Sequence, residues 1–118
     1  MPLLESNFIP KSLPFKNGHF NTMYRPLFMK DTVLYKRKRI ITWDNDFIDL
    51  DFSIVGSDTL VILIHGLEGS SDSNYMTAAV KSFNTEGLDT VCFNLRGCSG
   101  EDNLLLSTYH SGKTEDVD

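Results

Sequence analysis

The stretch "VILIHGLEGSSDSNYM", Val61 to Met76, governs the reading of the whole chain. With Thr59 and Leu60 before it, the run "TLVILIH" is continuously β-branched or Leu, without polar alternation. That pattern is expected of a central strand covered on both faces. The small residues "GLEGSSDS" then force a turn, and "SNYMTAAVKSFNTEG" follows with Tyr75, Ala79, Phe83 and Met76, Val80 at i, i+4 spacing. This predicts a helix with Ser71, Asp72 or Ser73 as N-cap and Gly87 at its C-terminal end. Beyond it "DTVCFNL", Asp89 to Leu95, reads as a second buried strand. Strand, helix and strand within this short span form a βαβ unit with parallel strands.

Upstream, Thr32 to Thr42 has strand character, and "FIDLDFSIV" alternates Ile48, Leu50, Phe52, Ile54 against Asp49, Asp51, Ser53. Strict period two predicts a half-buried antiparallel strand with its apolar set inward. Trp43, Asp44, Asn45 and Asp46 are turn residues, so the two strands are expected to pair as a hairpin. Residues 1–30 carry all four prolines, Pro2, Pro10, Pro14 and Pro26, and little periodicity. They read as an irregular arm laid over a partial α/β domain at 31–118. Phe8, Phe15, Phe20, Tyr24 and Phe28 give that arm apolar surface, expected to cap the core rather than to line a lipid entrance. The closing "TEDVD" resembles a helix start capped by Thr114.

The net charge of −5 excludes a mainly nucleic-acid-binding protein, since neutralising phosphates needs a basic face. The cluster Lys36, Arg37, Lys38, Arg39 is the exception; it suits a solvated sheet edge guarded against pairing, with anionic lipid or phosphate as the alternative. Two cysteines, Cys92 and Cys98, make neither a disulfide scaffold nor a metal site, and no cofactor is implied. No apolar run approaches 18 residues and no secretory signal opens the chain, so a cytoplasmic protein without a transmembrane segment is expected.

Chemistry centres on "HGLEGSS". A strand of this kind delivers His65 and Gly66 to its C-terminal end, where open α/β sheets bind ligands. Gly66 lets the chain turn so that the N–H groups of Leu67 and Glu68 can point into a pocket, as an oxyanion requires. The same residues suit any strand-to-helix turn, and a lone histidine suits a structural role, so the turn alone leaves both readings open. A nucleophile elbow, GxSxG, is absent: of eleven serines only Ser71 and Ser99 have Gly two before, and neither has Gly two after. His19, His65 and His110 give Cys98 no predicted base. Arg96 and Gly97 read as loop architecture, with Arg96 pairing an acid. A dinucleotide fold is disfavoured because the turn offers only Gly66 and Gly69 where GxGxxG is needed.

Taken together, "HGLEGSSDSNYM", "FNLRGCSGEDNLLLSTYHSG" and "TED" resemble the N-terminal part of the α/β-hydrolase superfamily, in its YheT-like branch. That branch includes acyl-lipid hydrolases and alcohol acyltransferases; "NGHFNTMYRPLF" is similar to its arm, with Asn21 a departure from the usual Gln. The resemblance implies an antiparallel hairpin leading into a parallel sheet, the third strand ending at the His65–Glu68 oxyanion turn with Leu67 as donor, and Arg96, Gly97, Tyr109 and His110 in loops near the site. It places serine, acid and histidine beyond Asp118. The expectation is therefore an N-terminal fragment of a serine hydrolase of carboxylic esters, acyl lipids being a candidate class, and inactive alone. The alternative is a non-catalytic chain that pairs with another polypeptide through an open sheet edge. With one helix to cover the sheet, such an edge is expected, and with it association.

Overall fold

The computed structural model describes residues 13–28, 32–107, 109 and 115–116. The chain divides into two compact units, Met1–Lys30 and Asp31–Asp118. Readings placed on residues 1–12, on His110 and on Thr114 lie outside the described residues.

The first unit is not irregular where it is described. A 3-10 helix spans Leu13–Lys16 and an α-helix, α1, spans Gly18–Phe28. Asn17 starts α1: its Oδ1 accepts the N–H groups of His19 at 2.9 Å and Phe20 at 3.4 Å, satisfying donors that the first turn leaves orphaned. Phe20 and Tyr24, one turn apart, bring their rings to 5.6 Å. The prolines misled the expectation because Pro14 falls in the 3-10 turn before α1, while Pro26 sits within the last turn of α1, where it forgoes a single i→i−4 bond without preventing the turns before it.

The second unit is built on β1 (Lys36–Ile41), β2 (Phe47–Ser53), β3 (Leu60–Ile64), α2 (Asn74–Thr85) and β4 (Asp89–Asn94). The sheet order is β1-β2-β4-β3, with β1 and β4 antiparallel to β2 and β3 parallel to β4. This is the expected hairpin followed by a βαβ unit. Helix α2 begins after Ser73 and ends in a Schellman motif, the N–H of Leu88 reaching Phe83 O and that of Gly87 reaching Asn84 O. Gly87 supplies the left-handed residue this closure needs, at φ +77°. Met76 and Val80 of α2 pack on Cys92 of β4, with Val33, Tyr35 and Leu63 around them.

Two strand readings are corrected. β3 is an edge strand rather than a central one, and Leu60, Ile62 and Ile64 are about half or more exposed. The strand buried along its whole length is β4. In β2 the acidic set is buried, Asp49 and Asp51 almost completely, while Leu50 and Phe52 are half-buried. The register explains it: Arg37 lies opposite Asp51 and Arg39 opposite Asp49. Each guanidinium grips its carboxylate with two N–H groups at 2.7–2.8 Å, a charge-assisted fork that makes burial of the carboxylate tolerable. The basic cluster does lie on an exposed edge strand, but its arginines serve the interior.

Candidate functional site

The parallel strands β3 and β4 end side by side, and the loops that follow them enclose a cleft of about 550 Å³. One wall is Glu68–Asp72; the other is Arg96–Gly100, joined by Arg37 and Tyr109.

The first wall starts at His65, buried at the end of β3. Its Nε2 accepts the N–H of Leu95 at 3.1 Å, so the proton must sit on Nδ1, which donates to Gly66 O at 2.8 Å. Both ring nitrogens are thereby used in tying the β3 turn to the end of β4, and no lone pair remains for a base. Gly66 O also accepts the N–H of Gly69 at 3.0 Å, closing a turn around Leu67 and Glu68. Glu68 sits at φ +54°, a conformation that costs a non-glycine residue about 1 kcal/mol or more. Its N–H is taken by the Tyr109 hydroxyl. The N–H of Leu67 makes no hydrogen bond among the described residues, and Leu67 is largely exposed. Gly69 is favoured for a different reason: a Cβ there would collide with the Tyr75 hydroxyl, which itself accepts the N–H of Gly66 at 2.9 Å.

The second wall is a turn in which Cys98 N–H bonds Leu95 O at 2.9 Å and Gly97 takes φ +74°. Arg96 has no exposed side-chain surface and grips Asp44 and Asp116, with Asp46 at 3.5 Å. It holds the cleft wall to the β1–β2 turn. Hydrogen bonds and charge from Asp116 and Asp44 push its guanidinium up, beyond any deprotonation. Hydrogen bonding from Arg96, then from Thr42, holds the Asp44 carboxyl far below the usual carboxylate range. Burial opposes ionisation of Asp46, yet the N–H groups of Leu104, Phe47 and Leu105 and the Asn103 amide outweigh it and keep it low. Burial pushes the Cys98 thiol up, so it lacks the thiolate character of a nucleophile.

Beneath the cleft lies a buried polar network. Ser71 donates to Asp51 Oδ2 at 2.6 Å and the Asn94 amide to the same oxygen at 2.8 Å, while Asn94 Oδ1 receives the N–H of Ser71 at 2.9 Å. Ser71 is thus a structural donor with its hydroxyl out of reach of solvent.

Of the residues singled out from the sequence, Glu68, Arg96, Gly97 and Tyr109 line this cleft and His65 and Gly66 frame its first wall, while Leu67 lies in the turn beside it without lining it. The partners Asp44, Asp46 and Asp116 were missed. A signal existed: Asp44 and Asp46 flank the hairpin turn, and Arg96 is the cation closest after β4. Among the described residues no cluster of acidic, histidine and cysteine side chains could hold a metal, and no helix is long and apolar enough to cross a membrane.

Comparison with known proteins places the chain. No protein-family model matches it. It is 37% identical to a protein named "Putative esterase YheT" from Escherichia coli (strain K12), over 95% of this chain and 34% of that protein. It is 32% identical to an abhydrolase domain-containing protein of Dictyostelium discoideum and 31% to phospholipase ABHD3 of Homo sapiens, each over 86% of this chain and 27% of the relative. The chain thus spans about a third or less of these relatives' length. Among solved structures, the Pyrococcus furiosus esterase Pf2001 superposes with a TM-score of 0.53 at 27% identity, over 70% of this chain and 31% of that one.

Proposed function

From membership of the α/β-hydrolase superfamily, a relationship that runs over most of this chain, we propose that these 118 residues carry the oxyanion side of a serine hydrolase of carboxylic esters. The observation that carries the proposal is the Leu67 amide. It is without a partner among the described residues, in the turn just before Glu68, the first residue of a cleft wall where two parallel strands end. A fixed N–H in that position stabilises charge as it develops on a carbonyl oxygen, because no reorganisation is needed at the moment of reaction. Nucleophile, acid and base are then supplied by residues beyond the 118. Within them Ser71 is buried and bonded to Asp51, Ser99 lacks an elbow, and His65 is spent on backbone groups. Acyl lipids are the substrate class that the phospholipase relatives suggest, and the cytoplasm is the compartment that two unpaired cysteines suggest.

The test is labelling of this chain by a serine-reactive fluorophosphonate alongside p-nitrophenyl ester turnover. No labelling and no turnover above background are expected; stoichiometric labelling overturns the assignment of the nucleophile elsewhere. A second reading, a non-catalytic chain that recruits a partner strand, draws on the exposed Leu60, Ile62 and Ile64 along the β3 edge. Intact mass in the native source separates the two: a product well above 13.3 kDa favours the hydrolase, a stable one at that mass the pairing chain.

A further inference from the structure

We propose that Tyr109 is a positioning residue that fixes the Leu67 amide, a role that rests on the oxyanion reading above for its purpose but not for its geometry. Leu67 lies between two peptide planes. The first, Gly66–Leu67, is held by its carbonyl, which receives both His65 Nδ1–H and the N–H of Gly69. In a trans peptide the N–H points opposite to the C=O, so this double grip fixes the direction of the Leu67 N–H as well. The second plane, Leu67–Glu68, has no such grip from its own turn. Among the described residues its N–H is held by the Tyr109 hydroxyl alone.

That single bond matters because Glu68 is a non-glycine residue in the left-handed region, at φ +54°. Such a conformation persists only when the surroundings over-determine it. Tyr109 is itself placed by its ring, which meets the His65 ring edge-on, with centroids 6.2 Å apart at 87°. His65 and Tyr109 therefore form one brace, the imidazole pinning the plane before Leu67 and the phenol the plane after it. Forty-one residues separate Glu68 from this partner, so the brace exists only once the loop after β4 has returned across the cleft.

The experiment is Tyr109→Phe in the full 118-residue chain, which keeps the ring against His65 and removes the hydroxyl. Backbone amide exchange is read residue by residue, with Val91–Phe93 of β4 as internal reference. Glu68 exchange is expected to rise by about tenfold, the loss of one net hydrogen bond, with the β4 amides unchanged. In parallel, methylphosphonate is titrated as an oxyanion mimic while the Leu67 amide shift is followed; weaker binding to the variant is expected at unchanged urea midpoint. Unaltered Glu68 exchange overturns the proposal. A change in Glu68 exchange with no methylphosphonate response in the wild type upholds the brace and overturns the oxyanion reading instead. Acceleration of β4 together with Glu68 would mean general loosening, which also overturns it.

Discussion

Asp51 offers the most exacting check on the architecture, because a single-atom exchange, Asp51→Asn, changes its charge and almost nothing of its shape. Its Oδ2 receives three donors, Arg37 Nη2 at 2.8 Å, Ser71 Oγ at 2.6 Å and Asn94 Nδ2 at 2.8 Å, and its Oδ1 receives Arg37 Nε at 2.7 Å. An amide has one acceptor oxygen. Set at the Oδ2 position, that oxygen keeps three bonds but loses their charge assistance, roughly 0.5–1 kcal/mol each. The NH₂ then faces Arg37 Nε, donor against donor. Arg37 is 37% exposed, so water can serve its orphaned N–H and the ion pair counts for less than a buried one. The net loss is expected at about 3 kcal/mol, a large part of the stability of a small domain.

Urea unfolding at neutral pH measures that loss, provided the m-value is unchanged. Acidity supplies the sharper half of the test. Burial opposes ionisation of Asp51, yet Arg37, Ser71 and Asn94 together hold it below the ordinary carboxylate range. A depressed folded-state value means that the stabilisation is complete above the unfolded-state value, about 3.9, and is lost as pH falls through the folded one. The gap between wild type and variant should therefore narrow in acid. A loss under about 0.5 kcal/mol, or a gap that stays constant with pH, would refute the account of β2 as a strand stabilised through buried charge.

Two further outcomes follow from the geometry. Gly69→Ala places a Cβ against the Tyr75 hydroxyl and 3.1 Å from both Gly66 O and His65 Cβ, and should cost about 1–3 kcal/mol in urea unfolding. Adding Tyr75→Phe should recover part of that; no recovery would show that backbone crowding dominates. Ile62→Lys, at a position 63% exposed on the β3 edge, should leave stability within about 0.5 kcal/mol and reduce association in analytical ultracentrifugation. Unchanged association would acquit the edge.

In the second unit, order and type of the elements were legible because their periods are clean: the apolar run of β3, the i, i+4 spacing of α2 and the Gly87 closure need no tertiary knowledge, whereas α1 was hidden by its prolines. What escaped was environment. Alternation in β2 reveals two faces but not which is deeper, and the answer depended on arginines ten and fourteen residues away, facing the strand in register. Continuous apolarity in β3 was read as central because such runs are normally covered on both faces; the chain places it at the rim. The candidate site was legible as a turn, through His65–Gly69, but its brace was not. Tyr109 reaches Glu68 by a loop return that no local pattern encodes, and the acids around Arg96 come from two separate segments, the β1–β2 turn and Asp116.

The strand order carries a consequence for how the chain is made. β4 lies between β2 and β3, so β3 has no neighbour within this sheet until β4 has been synthesised. Thirty residues separate the ends of the two strands, Ile64 and Asn94. At a ribosome's usual pace of 5–20 residues per second, roughly 2–6 s pass in which "LVILI" is outside the tunnel and unpaired. The hairpin of β1 and β2 can close during that interval, but it offers no rescue, since its free edge is reserved for β4. Nascent chains of this protein are thus most vulnerable to sticking, and most in need of a holding chaperone, after the third strand emerges and before the fourth.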